Sequence, residues 1–500
     1  MNQIKIGAVI SYVALILNVL IGLLYTPWMI ETIGKADYGL YTLAMSVTSL
    51  FVFDFGLGSA ITRFVSKYLA EGRQDKVDDL LGLVLKLYLI GDIIIFLSLL
   101  ILYQFLPYIY QGLAVDELER FKLVYIIVSM FSVISFPFIP LNGVIISYEK
   151  FIQLKSCDLI HKLIIVVLMT VCLLMGGGLF SLVIVNSVAG IIVIIFKLFV
   201  LGGTRIKKIN LTFWDKSVLK SVFSFSVWVI VIQLAQRCIF NIAPSILAVF
   251  ATSSAITILG IAICLEGYTF SFANAINGMF LPRVSRMVAN NSRHEILDLM
   301  IRIGRIQIFI IGLICVGFIC VGREFIFLWL GEGYEQVYVC SLLIILPSYF
   351  QLPQEIGNTT IVAEGKVKLQ AVAFMLMAAV NIVLAYPLTK TYGVEGLCFS
   401  IMCAYVIRTI SMDVIFYKVL FIDVYQFFRE SYLKIIPSQI VATIFTIVIF
   451  QFIDLSGWLG LFTKIIICTV CYILTMWFLC MNPSEKTIVL TPIKKLLKIK

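Results

Sequence analysis

Phe180 to Leu201 reads FSLVIVNSVAGIIVIIFKLFVL, twenty-two residues carrying a single charge. An α-helix rises about 1.5 Å per residue, so a run of this length crosses a hydrocarbon core about 30 Å thick. Thirteen more stretches of the same kind are strung between Ile6 and Met481, separated by short polar breaks. The fourteen predicted spans lie at 6–28, 38–62, 80–103, 121–147, 157–178, 180–201, 219–243, 254–281, 303–321, 337–361, 369–387, 393–416, 433–452 and 458–481. The fold class is therefore all-α integral membrane, with almost no soluble part. Any activity has to be carried by the helices themselves, which favours transport over catalysis.

Composition agrees. Hydrophobic residues make up 61% of the chain and charged residues 13%, whereas about a quarter of a soluble domain is charged. The net charge of +10 would suggest nucleic acid in a soluble protein, but these basic residues cluster in the breaks between spans, where orientation signals belong. No nucleic-acid partner is expected. Most of the twelve cysteines, Cys172, Cys264, Cys315, Cys320, Cys403 and Cys480 among them, lie within apolar runs and read as small hydrophobes. Cys468 and Cys471 have CxxC spacing, yet no second pair or nearby histidine completes a metal site. The first span is too long for a signal-peptide core and ends in Thr26, Pro27 and Trp28, so it should stay as a membrane helix. Phosphate loops, HExxH and GxSxG are absent and the two histidines, His161 and His294, fall near span ends. The chain does not read as an enzyme.

Basic residues set the topology. Alternate breaks hold 28 of the 38 lysines and arginines, from Lys5 through Arg63, Lys150, Arg205, Arg283, Lys366 and Lys418 to Lys500; the intervening breaks hold only Lys35, Arg120, Lys122, Arg323 and Lys390. The positive-inside rule then places both termini in the cytoplasm. The tail from Pro492 to Lys500 mixes lysine with leucine and isoleucine and reads as a solvated basic tail, with adsorption to the inner leaflet as the other option.

Sliding the chain by 219 residues lays Val65, Ser66 and Lys67 on Val284, Ser285 and Arg286, Val77 on Ile296, Asp79 on Asp298, and Asn18 on Arg237. The offset carries six spans, an even number, so the two copies share one orientation: a parallel repeat about a pseudo-twofold along the membrane normal. This divides the chain into a six-helix bundle at 1–218, a second at 219–416, and an appended helix pair with its basic tail at 417–500.

Charges inside spans mark the candidate site, because an arginine at a helix centre costs about 2.5–3.5 kcal/mol on insertion scales and should face a cavity or a partner. Arg237 is near the middle of the seventh span, in a polar stripe with Gln233, Gln236 and Asn241. Arg408 is about two turns inside the twelfth span. In-span acids are Asp54, Asp92, Glu266, Glu355 and Asp413; Glu266 shares a face with Asn274 and Asn277 and is a plausible partner for Arg237. Either these charges neutralise one another and hold the bundle together, or the arginines receive an anionic group while Asp54, Asp92, Glu266 or Glu355 carries a coupling H+ or Na+. Lys86, Lys197 and Lys464 are near enough to span ends to snorkel. Arg63, Lys67, Arg283 and Arg286 mark repeat-matched cytoplasmic ends, where they either serve topology or ring an inner mouth that collects a phosphate group.

The order of motifs then resembles a known family. Gly34, Tyr38, Gly39 and Leu40 follow the first span; Asp54, Phe55, Gly56, Leu57 and Gly58 lead to Arg63; Leu281, Pro282 and Arg283 precede Ser285; Leu328, Trp329, Leu330 and Gly331 precede Tyr334. With the 6+6+2 layout, this resembles the polysaccharide or O-antigen flippases of the MOP superfamily, which also contains MATE exporters and lipid II flippases. The resemblance implies a MATE-like fold in the bacterial cytoplasmic membrane. It further implies alternating-access transfer of an undecaprenyl-pyrophosphate-linked oligosaccharide from inner to outer leaflet for O-antigen or capsule assembly, beside membrane lipids and with a polysaccharide polymerase and chain-length regulator as partners. The candidate cavity residues are then Arg237, Gln233, Gln236, Asn241, Asn18, Arg408, Asn274 and Asn277, and no cofactor beyond a coupling H+ or Na+ is implied. In-span acids outnumber in-span arginines, a departure that keeps two alternatives open: a MATE-like cation or drug antiporter, and a non-transporting scaffold for polysaccharide enzymes.

Overall fold

A computed structural model of the chain describes residues 2–52, 54, 57–202, 210–277, 280–452, 455–483 and 485–487; side chains at 2–15, 18, 59, 60, 217, 218, 220–226, 272–277, 281 and 282 are outside the description. The basic tail at 492–500 therefore lies outside the described residues.

The first half of the chain forms α1 (Asn2–Ile33), α2 (Lys35–Phe51), α3 (Leu57–Ala70), α4 (Gln74–Ile109), α5 (Val115–Ser135), α6 (Leu141–Ser147), α7 (Phe151–Leu174) and α8 (Leu179–Gly202). The second forms α9 (Lys216–Phe240), α10 (Ala243–Phe250), α11 (Ser253–Asn277), α12 (Leu281–Ala289), α13 (Arg293–Leu330), α14 (Glu335–Gln351), α15 (Glu355–Ala363) and α16 (Val367–Val419). The C-terminal segment adds α17 (Val424–Glu430), α18 (Tyr432–Phe450) and α19 (Gly457–Leu479). Among the described residues no strand is present, as expected where every backbone group must be satisfied within its own segment.

Eleven helices or helix runs among the described residues are long and apolar enough to cross a membrane. One of them, the 53-residue α16, contains a reversal at Gly393, whose φ of 59° and ψ of −135° interrupt the helix. Ser400 Oγ donates to Asn381 Oδ1 at 3.0 Å, whereas an unbroken helix would hold residues nineteen apart about 28 Å from one another. This single run thus supplies the predicted spans 369–387 and 393–416. The predicted span 38–62 is broken into α2 and α3 around Asp54.

The internal repeat is visible turn by turn. An offset of 219 carries the start of α4 onto that of α13 and Gly72 onto Asn291; these two turn residues have φ of 69° and 56°. Both close their helices with the same hydrogen bonds, Arg73 N to Tyr68 O and Ser292 N to Met287 O, a left-handed C-terminal motif that glycine and asparagine tolerate best. An offset of 216 then carries Glu149 (φ 57°) onto Gly365 (φ 70°) and the 3₁₀ turn Phe136–Phe138 onto Leu352–Gln354. Side-chain clamps repeat as well. Lys150 Nζ donates to Val200 O at 2.7 Å and Lys366 Nζ to Val419 O at 3.3 Å, each lysine capping the negative end of the second helix of its hairpin. Gln74 donates to the Tyr148 hydroxyl at 3.3 Å, and the matched pair is the ion pair of Arg293 with Glu364. Val65 and Val284, and Val77 and Ile296, are equally buried at matched positions.

The chain divides into two compact units: Met1–Gly260 with Phe374–Ser400, and Ile261–Ala373 with Ile401–Lys500. In the second unit α18 and α19 are fixed to α13 by buried polar groups. Arg305, only 2% exposed, forms a bidentate pair with Glu485 at 2.5 and 3.0 Å and also donates to the carbonyls of Glu430 and Cys480. Gln439 accepts from Tyr349 at 2.6 Å and donates to Tyr472 at 3.0 Å. Lys464 pairs with Glu324 at 2.7 Å.

Candidate functional site

Arg237 lies three residues from the end of α9, and one of its guanidinium N–H groups donates to the Ser49 carbonyl. Ser49 is in the last turn of α2, where helix carbonyls lack intrahelical partners and the dipole is negative. One turn on, Asn241 Nδ2 donates to Ser49 Oγ at 2.5 Å and the Asn241 carbonyl accepts from Ser46 Oγ. The turn between α9 and α10 is closed by the Asn241 and Ile242 amides, both bonded to the Arg237 carbonyl at 3.0 and 3.2 Å, and Pro244 sits in the first turn of α10. Of the expected stripe, Arg237 and Asn241 meet α2, Gln233 is half-buried beside them, and Gln236 is exposed. Asn18, Asn274 and Asn277 lie outside the described side chains.

This contact is one end of a longer seam within the first unit, with α2, the α4–α5 turn and α5 on one side and α9, α10 and α11 on the other. Thr257 Oγ1 donates to Lys35 O at 2.5 Å, Ser253 Oγ to the buried Glu117 carboxylate, Gly112 N to Ala248 O at 3.1 Å, and Tyr110 OH to Ser245 Oγ at 3.2 Å. A Cβ on Gly39 would fall 1.9 Å from the Ser253 carbonyl oxygen, so the backbones touch there only because residue 39 has no side chain. None of Ser46, Ser49, Glu117, Ser253 or Thr257 stood out in the sequence, since isolated hydroxyls and a carboxylate at a span end carry no period or motif.

Asp54 sits in the break between α2 and α3. Its carboxylate accepts the Gly58 amide at 3.0 Å and the Tyr88 hydroxyl at 2.9 Å, the role of a helix N-cap. Asp92 is half-buried on α4, and its Oδ1 has no hydrogen-bond partner among the described residues. One turn further, α4 and α5 frame an apolar cavity of about 400 Å³ lined by Phe96, Leu99, Tyr103, Tyr125 and Met130. Arg63 and Lys67 are exposed on α3, and Arg283 and Arg286 on α12.

The remaining in-span acids and Arg408 lie in the second unit. Glu266, 7% exposed, accepts from Ser348 Oγ at 3.0 Å. Glu355 accepts from Asn358 at 2.8 Å and interacts electrostatically with Arg408, which is 4% exposed. Gln351 Oε1, Gln354 Nε2, Asn358 Oδ1 and Asp413 Oδ1 are buried without hydrogen-bond partners among the described residues. No group of three or more His, Cys, Asp or Glu side chains suited to a metal ion occurs among the described residues.

The sequence profile of the family described as "Polysaccharide biosynthesis protein" matches residues 5–288. The chain belongs to that family. No curated protein matches the sequence, but solved structures share the fold of this polysaccharide biosynthesis protein. The lipid II flippase MurJ in an inward closed conformation has a TM-score of 0.70 at 14% identity, covering 94% of this chain and 97% of its own. An inward-facing multidrug resistance MATE transporter of the MOP superfamily gives 0.64 at 12% identity over 81% of this chain and 96% of its own. A mutant MATE transporter of Vibrio cholerae gives 0.59 at 15% over 84% and 96%. The family member described here is thus a multi-pass membrane protein with the helical fold of flippases and exporters rather than that of an enzyme.

Proposed function

We propose that this polysaccharide biosynthesis protein is a flippase that carries an undecaprenyl-pyrophosphate-linked oligosaccharide from the inner to the outer leaflet of a bacterial cytoplasmic membrane, for O-antigen or capsule assembly. Membership of the family and the fold shared with a lipid II flippase support lipid-linked cargo. The observation that carries the reading is Arg237: a guanidinium held within a span against a neutral carbonyl, with Gln233 and Asn241 beside it. A pyrophosphate offers paired anionic oxygens that match a guanidinium better than a neutral carbonyl does. The exposed Arg63, Lys67, Arg283 and Arg286 would collect the head group at the cytoplasmic side, where the charge asymmetry also puts both termini. The prenyl tail stays in lipid, and the sugar is handed to a polymerase and chain-length regulator outside.

Cycling requires a driving force, and the buried Glu266 and half-buried Glu355, with Asp54 and Asp92 in the first unit, are the groups through which an H+ or Na+ gradient would supply it. The test is transfer of a labelled undecaprenyl-pyrophosphate oligosaccharide between leaflets of proteoliposomes. Wild-type protein is expected to move it, Arg237→Ala to fail, and Arg237→Lys to retain part of the rate. A fully active Arg237→Ala protein would sink the assignment, and dye efflux without lipid transfer would favour a cation antiporter.

A further inference from the structure

Among the described residues, seven hydrogen bonds join α2, the α4–α5 turn and α5 to α9, α10, α11 and the turn at Asn241 inside the first unit, and they can be followed from one end of α2 toward the other. The line starts at the Lys35 end of α2, which the basic-residue asymmetry assigns to the outside, and ends at Ser49, fourteen residues or about 21 Å further along the helix. In order it contains Thr257 with Lys35 O, Ser253 with Glu117, Gly112 N with Ala248 O, Tyr110 with Ser245, Ser46 with Asn241 O, Asn241 with Ser49, and Arg237 with Ser49 O. Every bond connects a residue of the first sequence repeat to one of the second. Backbones meet directly at Gly39 and Gly112, where an added Cβ would lie 1.9 Å from Ser253 O and 2.6 Å from Ala251 N. This is a closed joint about three-quarters of a bilayer core deep, assembled from groups that water can solvate once it opens.

We propose that this seam is the outer gate of the protein and that Arg237 is its latch, released when the guanidinium is drawn from the Ser49 carbonyl to an anionic head group. The inference rests on the flippase reading above and adds what the arginine does when cargo is absent. A guanidinium bonded to a helix-end carbonyl in low dielectric holds α9 to α2; a pyrophosphate competes for the same N–H groups with two charged oxygens and takes them. The Ser49 carbonyl then loses a donor, and water entering from the outside is the replacement available to it. The same contact that reports cargo therefore frees the inner end of the seam, and the remaining bonds part toward the outside. Asn241 works with the latch: its carbonyl and amide grip Ser46 and Ser49, one turn beyond the arginine.

Hydrogen–deuterium exchange of the full chain in nanodiscs tests this, because the Gly112 amide is itself one of the seam's bonds. Arg237→Ala should exchange several-fold faster than wild type in peptides covering 110–117 and 245–257, without any ligand, while Arg237→Lys stays close to wild type. Adding a polyprenyl pyrophosphate to the wild type should produce the same increase, and adding it to Arg237→Ala should change nothing more. Equal exchange in wild type and Arg237→Ala overturns the latch, whatever the leaflet-transfer assay gives. Faster exchange in Arg237→Ala beside a wild type that ignores polyprenyl pyrophosphate keeps the latch and removes the anionic cargo instead. Should Arg237→Ala fail to fold, Glu117→Cys combined with Ser253→Cys addresses the gate directly: oxidation to the disulfide should stop lipid transfer and reductant should restore it. Unimpaired transfer by the cross-linked protein overturns the gate.

Discussion

Asp54 is a candidate for ion coupling by its place within a span, and its surroundings give it a second duty. The carboxylate holds the first turn of α3 through the Gly58 amide and takes the Tyr88 hydroxyl. Asp54→Ala should therefore lower thermal stability, by about 1 kcal/mol for the cap and more for the stranded hydroxyl, whereas Asp54→Asn keeps an acceptor and should remain near wild type. Transport by Asp54→Asn separates the two duties: retained activity leaves only the cap. Glu149 offers a cleaner experiment, since it holds φ at 57° where the matched residue is Gly365. Left-handed backbone costs an L-residue about 1–2 kcal/mol, so Glu149→Gly should raise the unfolding midpoint; a lowered midpoint would mean that the side chain contributes more than the backbone conformation costs.

At the scale of elements, most of the spans could be placed from hydropathy alone because bilayer thickness fixes their length. Less was legible where a helix is interrupted. The 3₁₀ turn at Leu352–Gln354 has its local cause in Pro353, but the break at Asp54 is tied to Tyr88 on another helix, and an apolar run carries no record of that. Arg305 shows the same limit. Counted by sequence among the topology-setting residues, it is buried against Glu485, 180 positions away, and it fixes the C-terminal helices to α13. Removing one member of a buried pair costs about 3–5 kcal/mol, while replacing both with apolar residues can be neutral. Glu485→Gln should accordingly destabilise the protein strongly in a detergent melt, and Arg305→Met with Glu485→Leu should recover much of the loss. Additive losses in that double-mutant cycle would show that the two side chains do not depend on each other.

For the whole molecule, the repeat was legible as a numerical offset, and the structure adds that it survives as matched contacts. One matched position differs in chemistry. Burial would raise the Glu364 carboxyl, but hydrogen bonds from Lys366 and Arg293 outweigh it and hold the group below the ordinary carboxylate range. A carboxylate depressed in the folded state contributes stability above its unfolded value of about 4.3, and loses it as pH falls through the folded value. The gap in melting temperature between wild type and Glu364→Gln should be full at pH 6 and should close below about pH 4; a gap that persists in acid would assign the effect to packing. In the other half the corresponding contact is Gln74 with Tyr148, and neither group changes charge in that range. Two clamps of one design thus have different chemical vulnerabilities. Acid on the side that carries these turns would slacken the second half of the protein and leave the first half fastened, so a symmetric architecture answers a uniform change in proton concentration one-sidedly.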